Sequence, residues 1–317
     1  MRGGAYVLDL HYTLSLRNSS KHRVRGITVV VLAQEGTPGG KATVRVPSLN
    51  ITPNDTFPLR IDLKLVRPMT VGQNSPSVEV QLDGVLFEDL SFYGPDKLDS
   101  HRSMTLLELE AQRERTYFKA LLETAGQQGL QDRMVASIAR DAERTQPSVE
   151  MVSHATNAEP DREMQFAFLQ VPDSPIEPKD GTAKISGNEA RAPWFEVKNR
   201  SPRPVKYFEI GWIVKDQQGH EFMAASMPAE LAVAPGRSSQ VVQEAALRFS
   251  DKTSIQSMRG FVSSVGFADG TYWIPSRSEL DDPSLRGVVA PSPEEQRLIS
   301  IYRKKGLTGL MEELKKF

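Results

Sequence analysis

Apolar and polar residues alternate along several stretches of the chain, the pattern of strands with one buried face. Tyr6, Leu8, Leu10, Tyr12, Leu14 and Leu16 alternate with Val7, Asp9, His11, Thr13, Ser15 and Arg17. Phe57, Leu59, Ile61, Leu63 and Leu65 alternate with Pro58, Arg60, Asp62 and Lys64. Val78, Val80 and Leu82 alternate with Glu79, Gln81 and Asp83, and Phe195 and Val197 with Glu196 and Lys198. Turn chemistry separates these runs at Gly36-Thr37-Pro38-Gly39-Gly40, Pro53-Asn54-Asp55, Asp216-Gln217-Gln218-Gly219 and Pro235-Gly236-Arg237. Pro fixes φ there, and Asn or Gly accepts positive φ. The pattern predicts antiparallel sheets with one face to a core and one to water. No helical pattern intervenes between the strands, so a parallel α/β framework is excluded.

Two regions switch to helical spacing. Met104, Leu107, Ala111, Phe118, Leu121, Leu122 and Ala125 form one stripe, and Thr105-Leu106-Leu107-Glu108 has the form of a capping box. Gly126 and Gly129 interrupt it, and Leu130, Met134 and Ile138 resume it. Near the C-terminus, Ser292-Pro293-Glu294-Glu295 combines an N-cap, a proline at the first helical position and acids in the first turn. Leu298, Ile301 and Tyr302 follow, Gly306 breaks the run, and residues 307–316 resume it. Residues 146–161 are poor in large apolar side chains and read as a linker.

The chain also repeats itself. Leu16-Arg17-Asn18-Ser19-Ser20 matches Val197-Lys198-Asn199-Arg200-Ser201 at an offset of 181 residues. Ile51-Thr52-Pro53 matches Val233-Ala234-Pro235. Phe87-Glu88-Asp89-Leu90-Ser91-Phe92-Tyr93-Gly94-Pro95 matches Phe267-Ala268-Asp269-Gly270-Thr271-Tyr272-Trp273-Ile274-Pro275. The order is kept and the offset drifts by only a residue or two, so duplication is expected. The expected organisation is a β-sandwich over 5–98, a helical segment over 103–145, a linker and lead-in over 146–180, a second sandwich over 181–278 and a helical tail over 292–317. Each sandwich is expected to hold about seven strands.

Composition adds exclusions. The 317 residues carry 39 basic and 40 acidic side chains and no cysteine. Balanced charge argues against a nucleic-acid partner. Without cysteine there is no disulfide framework, thiolate metal site or thiol nucleophile. The longest apolar stretch, near residues 27–33, is too short to span a membrane. Met1-Arg2-Gly3-Gly4 lacks the apolar core of a signal peptide, and strand patterning begins at Ala5. The chain is expected to be either cytoplasmic or a mature or truncated extracytoplasmic form, and the second reading is preferred.

Candidate chemistry is sparse. The histidines at 11, 22, 101, 154 and 220 have no partner at metal-ligand spacing, and no G-x-S-x-G elbow or glycine-rich phosphate loop occurs. No catalytic, cofactor-binding or metal-binding residue is therefore assigned. Asp89 and Asp269 recur in the shared phrase and are either ligand-polarising carboxylates or hairpin-turn residues, the turn being favoured. Asn18 and Asn199 open sequons but read as turn residues. Of the adjacent Tyr272 and Trp273, alternation sends one inward and one outward. Asp89, Tyr93, Asp269, Tyr272 and Trp273 are the candidate partner-contact residues. Tyr272 and Trp273, with Trp194, Tyr207 and Trp212, belong either to a core or to a carbohydrate platform.

Val197-Lys198-Asn199-Arg200-Ser201, followed by Val205 and an alternating strand, resembles the immunoglobulin-like modules of bacterial secreted proteins of the FxLYD type. Tyr272-Trp273-Ile274-Pro275-Ser276-Arg277 and Ile301-Tyr302-Arg303-Lys304-Lys305-Gly306-Leu307 are similar to stretches of uncharacterised bacterial extracytoplasmic proteins. The resemblance implies a mainly β fold of two tandem immunoglobulin-like antiparallel sandwiches, each followed by an amphipathic helical segment. It also implies an extracytoplasmic location, and it transfers no catalytic residue. The expected function is a non-enzymatic interaction or scaffold role toward a protein or polysaccharide partner, with self-association also open. A carbohydrate-binding module, or an accessory region of an enzyme with a ligand site between the copies, is the alternative.

Overall fold

The computed structural model describes residues 5–33, 41–68, 78–144, 149–152, 162–242, 246–249 and 254–317. The 36–40 turn, His154 and the first four residues lie outside these. The protein is mainly β, with several sheets and a few helices. It divides into two compact units, one of residues 1–112 and 312–317, the other of residues 113–311.

In the first unit, β1 (Ala5–Arg17) pairs with β4 (Thr56–Pro68) as a two-stranded antiparallel sheet. A second sheet runs in the order β3 (Lys41–Val46), β2 (Val24–Ala33), β5 (Val78–Phe87), β6 (Phe92–Tyr93). The alternating positions place Ile27, Val29, Val31, Leu59 and Ile61 in one core, with Tyr12, Leu14 and Leu16 packed on it. Helix α1 (Ser100–Glu143) starts here. The buried Asp83 carboxylate on β5 accepts from the backbone N–H groups of Lys97 and Leu98, at 3.0 and 3.3 Å, and from the Ser100 hydroxyl. A side chain on a strand thus sets the approach to the helix. The capping box expected at Thr105 is corrected, because Thr105 lies inside the helix and is buried. Met104 rests on Gly26, where a Cβ would meet its methyl group at 1.8 Å. Residues 312–317 complete this unit. Asn50 Nδ2 donates to the Lys316 carbonyl at 2.9 Å, and the Arg25 guanidinium lies 5.0 Å from the Phe317 ring centroid.

The second unit contains β7 (Val149–Val152), β8 (Arg162–Phe168), β9 (Ile176–Ser186), β10 (Glu189–Asn199), β11 (Val205–Asp216) and β12 (Glu221–Val233). Then come β13 (Ser238–Val242), β14 (Ala246–Phe249), β15 (Ile255–Phe267) and β16 (Tyr272–Trp273). Helices α2 (Arg277–Leu280), α3 (Pro283–Arg286) and α4 (Pro293–Leu314) follow. The strands join in the order β12-β11-β15-β8-β9-β10-β14-β7, with β13 added to β10 and β16 to β15. β8 links two layers, pairing antiparallel with β9 and, through Ala167 and Phe168, parallel with β15. Trp212 is fully buried among Phe166, Phe168 and Phe195, its ring 4.8 Å from that of Phe166 and edge-on to it.

Of the stretch 146–180, expected to be linker and lead-in, residues 146–148 and 153–161 lie outside the described residues, and the rest is corrected, because it contains strands. Val149–Val152 and Arg162–Phe168 are strands there, and β9 begins at Ile176. Met164 and Phe166 supply the buried face of β8 between exposed Glu163, Gln165 and Ala167, a period of two in a short run.

The two units share a pairing order. β1–β4, β2–β3, β2–β5 and β5–β6 recur as β10–β13, β11–β12, β11–β15 and β15–β16. Both long helices break at a glycine of matching conformation, Gly126 (φ 67, ψ −166) and Gly306 (φ 67, ψ −168).

Candidate functional site

Asn18 and Asn199 end the first shared strand in each unit. Both side chains are buried and turned back on the chain. Asn199 Nδ2 donates to the carbonyls of Arg203 and Val233 at 2.8 and 2.9 Å, and its Oδ1 accepts from the Ser201 N–H and hydroxyl at 2.9 and 2.8 Å. Asn18 Nδ2 donates to the carbonyls of His22, Ile51 and Thr52 at 2.9, 3.1 and 3.1 Å, and its Oδ1 accepts from the Ser20 N–H and hydroxyl at 3.0 and 2.7 Å. The backbones match as well: Asn18 N–H donates to Asp55 and Asn199 N–H to Arg237, both at 2.9 Å. Each Asn thus ties the connection from the first shared strand to the next, β1 to β2 or β10 to β11, to the turn before β4 or β13.

Asp89 and Asp269 occupy the second shared turn. Asp89 Oδ1 accepts from the Ser91 hydroxyl and N–H at 2.6 and 3.1 Å, and Oδ2 lies 3.5 Å from His22 Nδ1. Asp269 Oδ1 accepts from the Thr271 hydroxyl and N–H at 2.7 and 3.0 Å, and Arg203 donates to Oδ2 at 3.3 Å. The hydroxyls, then the backbone N–H groups, hold both carboxyls below the usual carboxylate range. The guanidinium of Arg203 also covers the Phe267 ring at 3.5 Å, where its counterpart His22 lies 6.1 Å from Phe87.

The aromatic pairs after these turns differ. Tyr93 is 67% exposed on the two-residue strand β6, while Phe92 is half-buried and stacks on His101 with ring centroids 4.9 Å apart. Tyr272 and Trp273 are both half-buried. The in–out alternation expected for that pair is therefore corrected: Tyr272 lies against Gly266, and Trp273 packs on two apolar clusters. Trp194 is 38% exposed on β10, beside Val242 of β13, which is 61% exposed.

A second constellation escaped the sequence reading because its partners lie far apart in the chain. In the second unit, Arg277 sits between two buried carboxylates. Its Nη1 donates to Glu114 Oε2 at 2.6 Å and to Glu295 Oε2 at 2.8 Å. Glu295 Oε1 also accepts from the Ser137 hydroxyl at 2.7 Å and from Arg140 at 3.0 Å. Arg113 donates to Glu114 Oε1 at 2.8 Å and to the Pro275 carbonyl at 2.9 Å. Arg133 binds Asp281 at 2.6 Å, and both Arg133 and Arg277 lie over the Tyr117 ring. Burial pushes the Glu114 carboxyl up, with Arg113 and Arg277 only partly opposing it. Burial acts on Glu295 too, but there its bonds to Arg277, Ser137 and Arg140 win and hold it below its ordinary value. The carboxylate oxygens of Glu114 and Glu295 are spent on this network, while Nε of Arg133, Arg140 and Arg277 is buried without a hydrogen bond among the described residues; the ion pairs are suited to fixing helices α1, α2 and α4 in one register.

Among the described residues no group of three or more His, Asp or Glu converges as a metal site. No helix among them is long and apolar enough to cross a membrane. No family model and no curated protein matches the chain. Among solved structures, an anti-sigma factor domain-containing protein is similar at 6% identity and a TM-score of 0.15, covering 86% of this chain and 83% of the other. A β-glucosidase from Kluyveromyces marxianus is similar at 8% identity and a TM-score of 0.18, covering 84% of this chain and 46% of that one.

Proposed function

We propose that the chain is a non-enzymatic interaction or scaffold protein, built from two duplicated immunoglobulin-like modules and working outside the cytoplasm. One observation carries the reading. The polar residues that recur between the units, Asn18 with Asn199 and Asp89 with Asp269, bond the turns they sit in. What recurs is therefore turn construction, with no recurring acid–base pair. Tyr93 supplies a partner-facing feature, a large ring exposed on a two-residue strand beside that construction. Tyr and its neighbours bind partners well because the ring offers apolar area and a polar tip.

The test is capture on the immobilised full chain of partners from envelope protein and polysaccharide preparations of the native host. Tyr93→Ala abolishes capture under this reading, while Asp269→Ala leaves it. A hydrolase activity in the pure protein, removed by one point substitution, overturns it. The carbohydrate alternative rests on the part-exposed Trp194 ring. Glycan-array binding that disappears in Trp194→Ala would move the assignment there.

A further inference from the structure

Trp194 is the largest apolar side chain exposed in the second unit among the described residues, and β10 is irregular just before it. Arg191 pairs with Lys184 and Trp194 with Thr182, so β10 has two residues between these pairs where β9 has one. Such a bulge re-aims the side chains that follow. Ala190 and Phe195 both enter the core, an odd separation that a regular strand does not give. Without the extra residue Trp194 would point inward. The bulge holds Ala192 at φ 44, a left-handed conformation that favours glycine. Strained backbone of this kind is found at ligand clamps. At the shared offset of 181 residues Trp194 matches Thr13, so the copies keep their turn construction and differ at this position.

The surroundings of the indole define what it can hold. Gln165, Thr182, Trp194 and Val242 pair in one row across β8, β9, β10 and β13. Gln165 and Gln240 are exposed and Thr182 is half-buried. Neither these three side chains nor the indole N–H makes a hydrogen bond among the described residues. The charges around the row are matched in pairs: Glu163 faces Lys184, Glu177 faces Lys198, and Lys179 bonds Glu196 at 3.1 Å. A face so balanced presents no net field to an ion. One ring with one valine beside it is also too little apolar surface for the core of a protein interface. What remains is a flat ring edged by neutral donors and acceptors. We propose that this face of the second unit binds an uncharged oligosaccharide, with one sugar ring stacked on the Trp194 indole and its hydroxyls bonded to Gln165, Thr182 and Gln240. The inference rests on the carbohydrate alternative stated above for Trp194, to which it gives a ligand class and contacts, and it is independent of Tyr93.

One stacked ring and a few hydrogen bonds in reach of water give a dissociation constant of about 1 mM. Binding of that strength is lost on washing, so it adds nothing to the capture experiment above and is read in solution. The chain has three tryptophans, and NMR of the full chain follows their indole N–H signals, that of Trp194 being assigned by its loss in Trp194→Phe. The titrants are cellohexaose, mannohexaose and chitohexaose, with hexagalacturonate as the anionic counterpart. At least one neutral hexasaccharide is expected to shift the Trp194 signal saturably, and hexagalacturonate to leave it in place. Trp194→Ala, with its fold checked by the urea midpoint, weakens binding at least about tenfold. Gln165→Ala combined with Thr182→Ala weakens it several-fold, and Tyr93→Ala leaves it unchanged. A Trp194 signal that none of the three neutral hexasaccharides moves at about 10 mM overturns the proposal. So does binding that survives Trp194→Ala, or a preference for hexagalacturonate. Silent titrations beside intact Tyr93-dependent capture sink this inference alone, and positive titrations beside failed capture sink the Tyr93 reading alone.

Discussion

Replacing Asn199 by alanine removes a side chain whose four hydrogen bonds, all between 2.8 and 2.9 Å, close the turn after β10. A single bond contributes about 0.5–1.5 kcal/mol net, and more where it strands a buried partner. The Val233 carbonyl lies on the buried side, whereas Ser201 and Arg203 reach water and recover part of the loss. The expected cost is therefore about 2–4 kcal/mol. All three tryptophans, Trp194, Trp212 and Trp273, lie in the second unit, so intrinsic fluorescence follows that unit during urea unfolding. With a slope of about 2 kcal/mol per molar urea, the midpoint falls by about 1–2 M. Asn199→Asp is expected to fall further at neutral pH, because a carboxylate would face the two carbonyls that the amide now serves. A shift below about 0.3 M urea would refute the argument that this clasp holds the turn.

Other outcomes follow from the same geometry. Trp212→Ala is expected to cost about 3–5 kcal/mol, while Trp212→Phe costs much less, because the buried indole N–H has no hydrogen-bond partner among the described residues; urea midpoints compare the two. Arg277→Ala leaves Glu114 and Glu295 buried without their shared cation and is expected to cost about 3–5 kcal/mol, with Arg277→Met milder in the same assay. Glu295 is held below its unfolded value, so its contribution is present above about pH 4.3 and is lost as pH falls through the lower folded value. Glu295→Gln should flatten that acid limb in a stability–pH series. Gly306 (φ 67, ψ −168) holds a conformation nearly reserved for glycine, and no described atom lies within 4 Å of an added Cβ, so in Gly306→Ala backbone strain alone is expected to cost about 1–3 kcal/mol, read by thermal melting.

The strands around Asn18 and Asn199 were legible because alternation and turn residues are local signals. Both helical breaks were also legible, since Gly126 and Gly306 stand inside clear apolar stripes. The start of α1 was not, because its anchor, Asp83, belongs to a strand and binds across a turn. β8 was missed because its two inward residues, Met164 and Phe166, follow a stretch poor in apolar side chains. The Arg277 cluster left no trace in the sequence. Glu114 lies 163 positions from Arg277, and only folding brings the two together.

The closing segment of the first unit, residues 312–317, is separated from the rest of it by the whole of residues 113–311. During vectorial synthesis Arg25 is made 292 residues before Phe317, and Asn50 266 residues before Lys316. Contacts so distant along the polypeptide form late. The first unit must wait, incompletely covered, while residues 113–311 are made, and a substitution in residues 312–317 acts on the unit whose strands were made first.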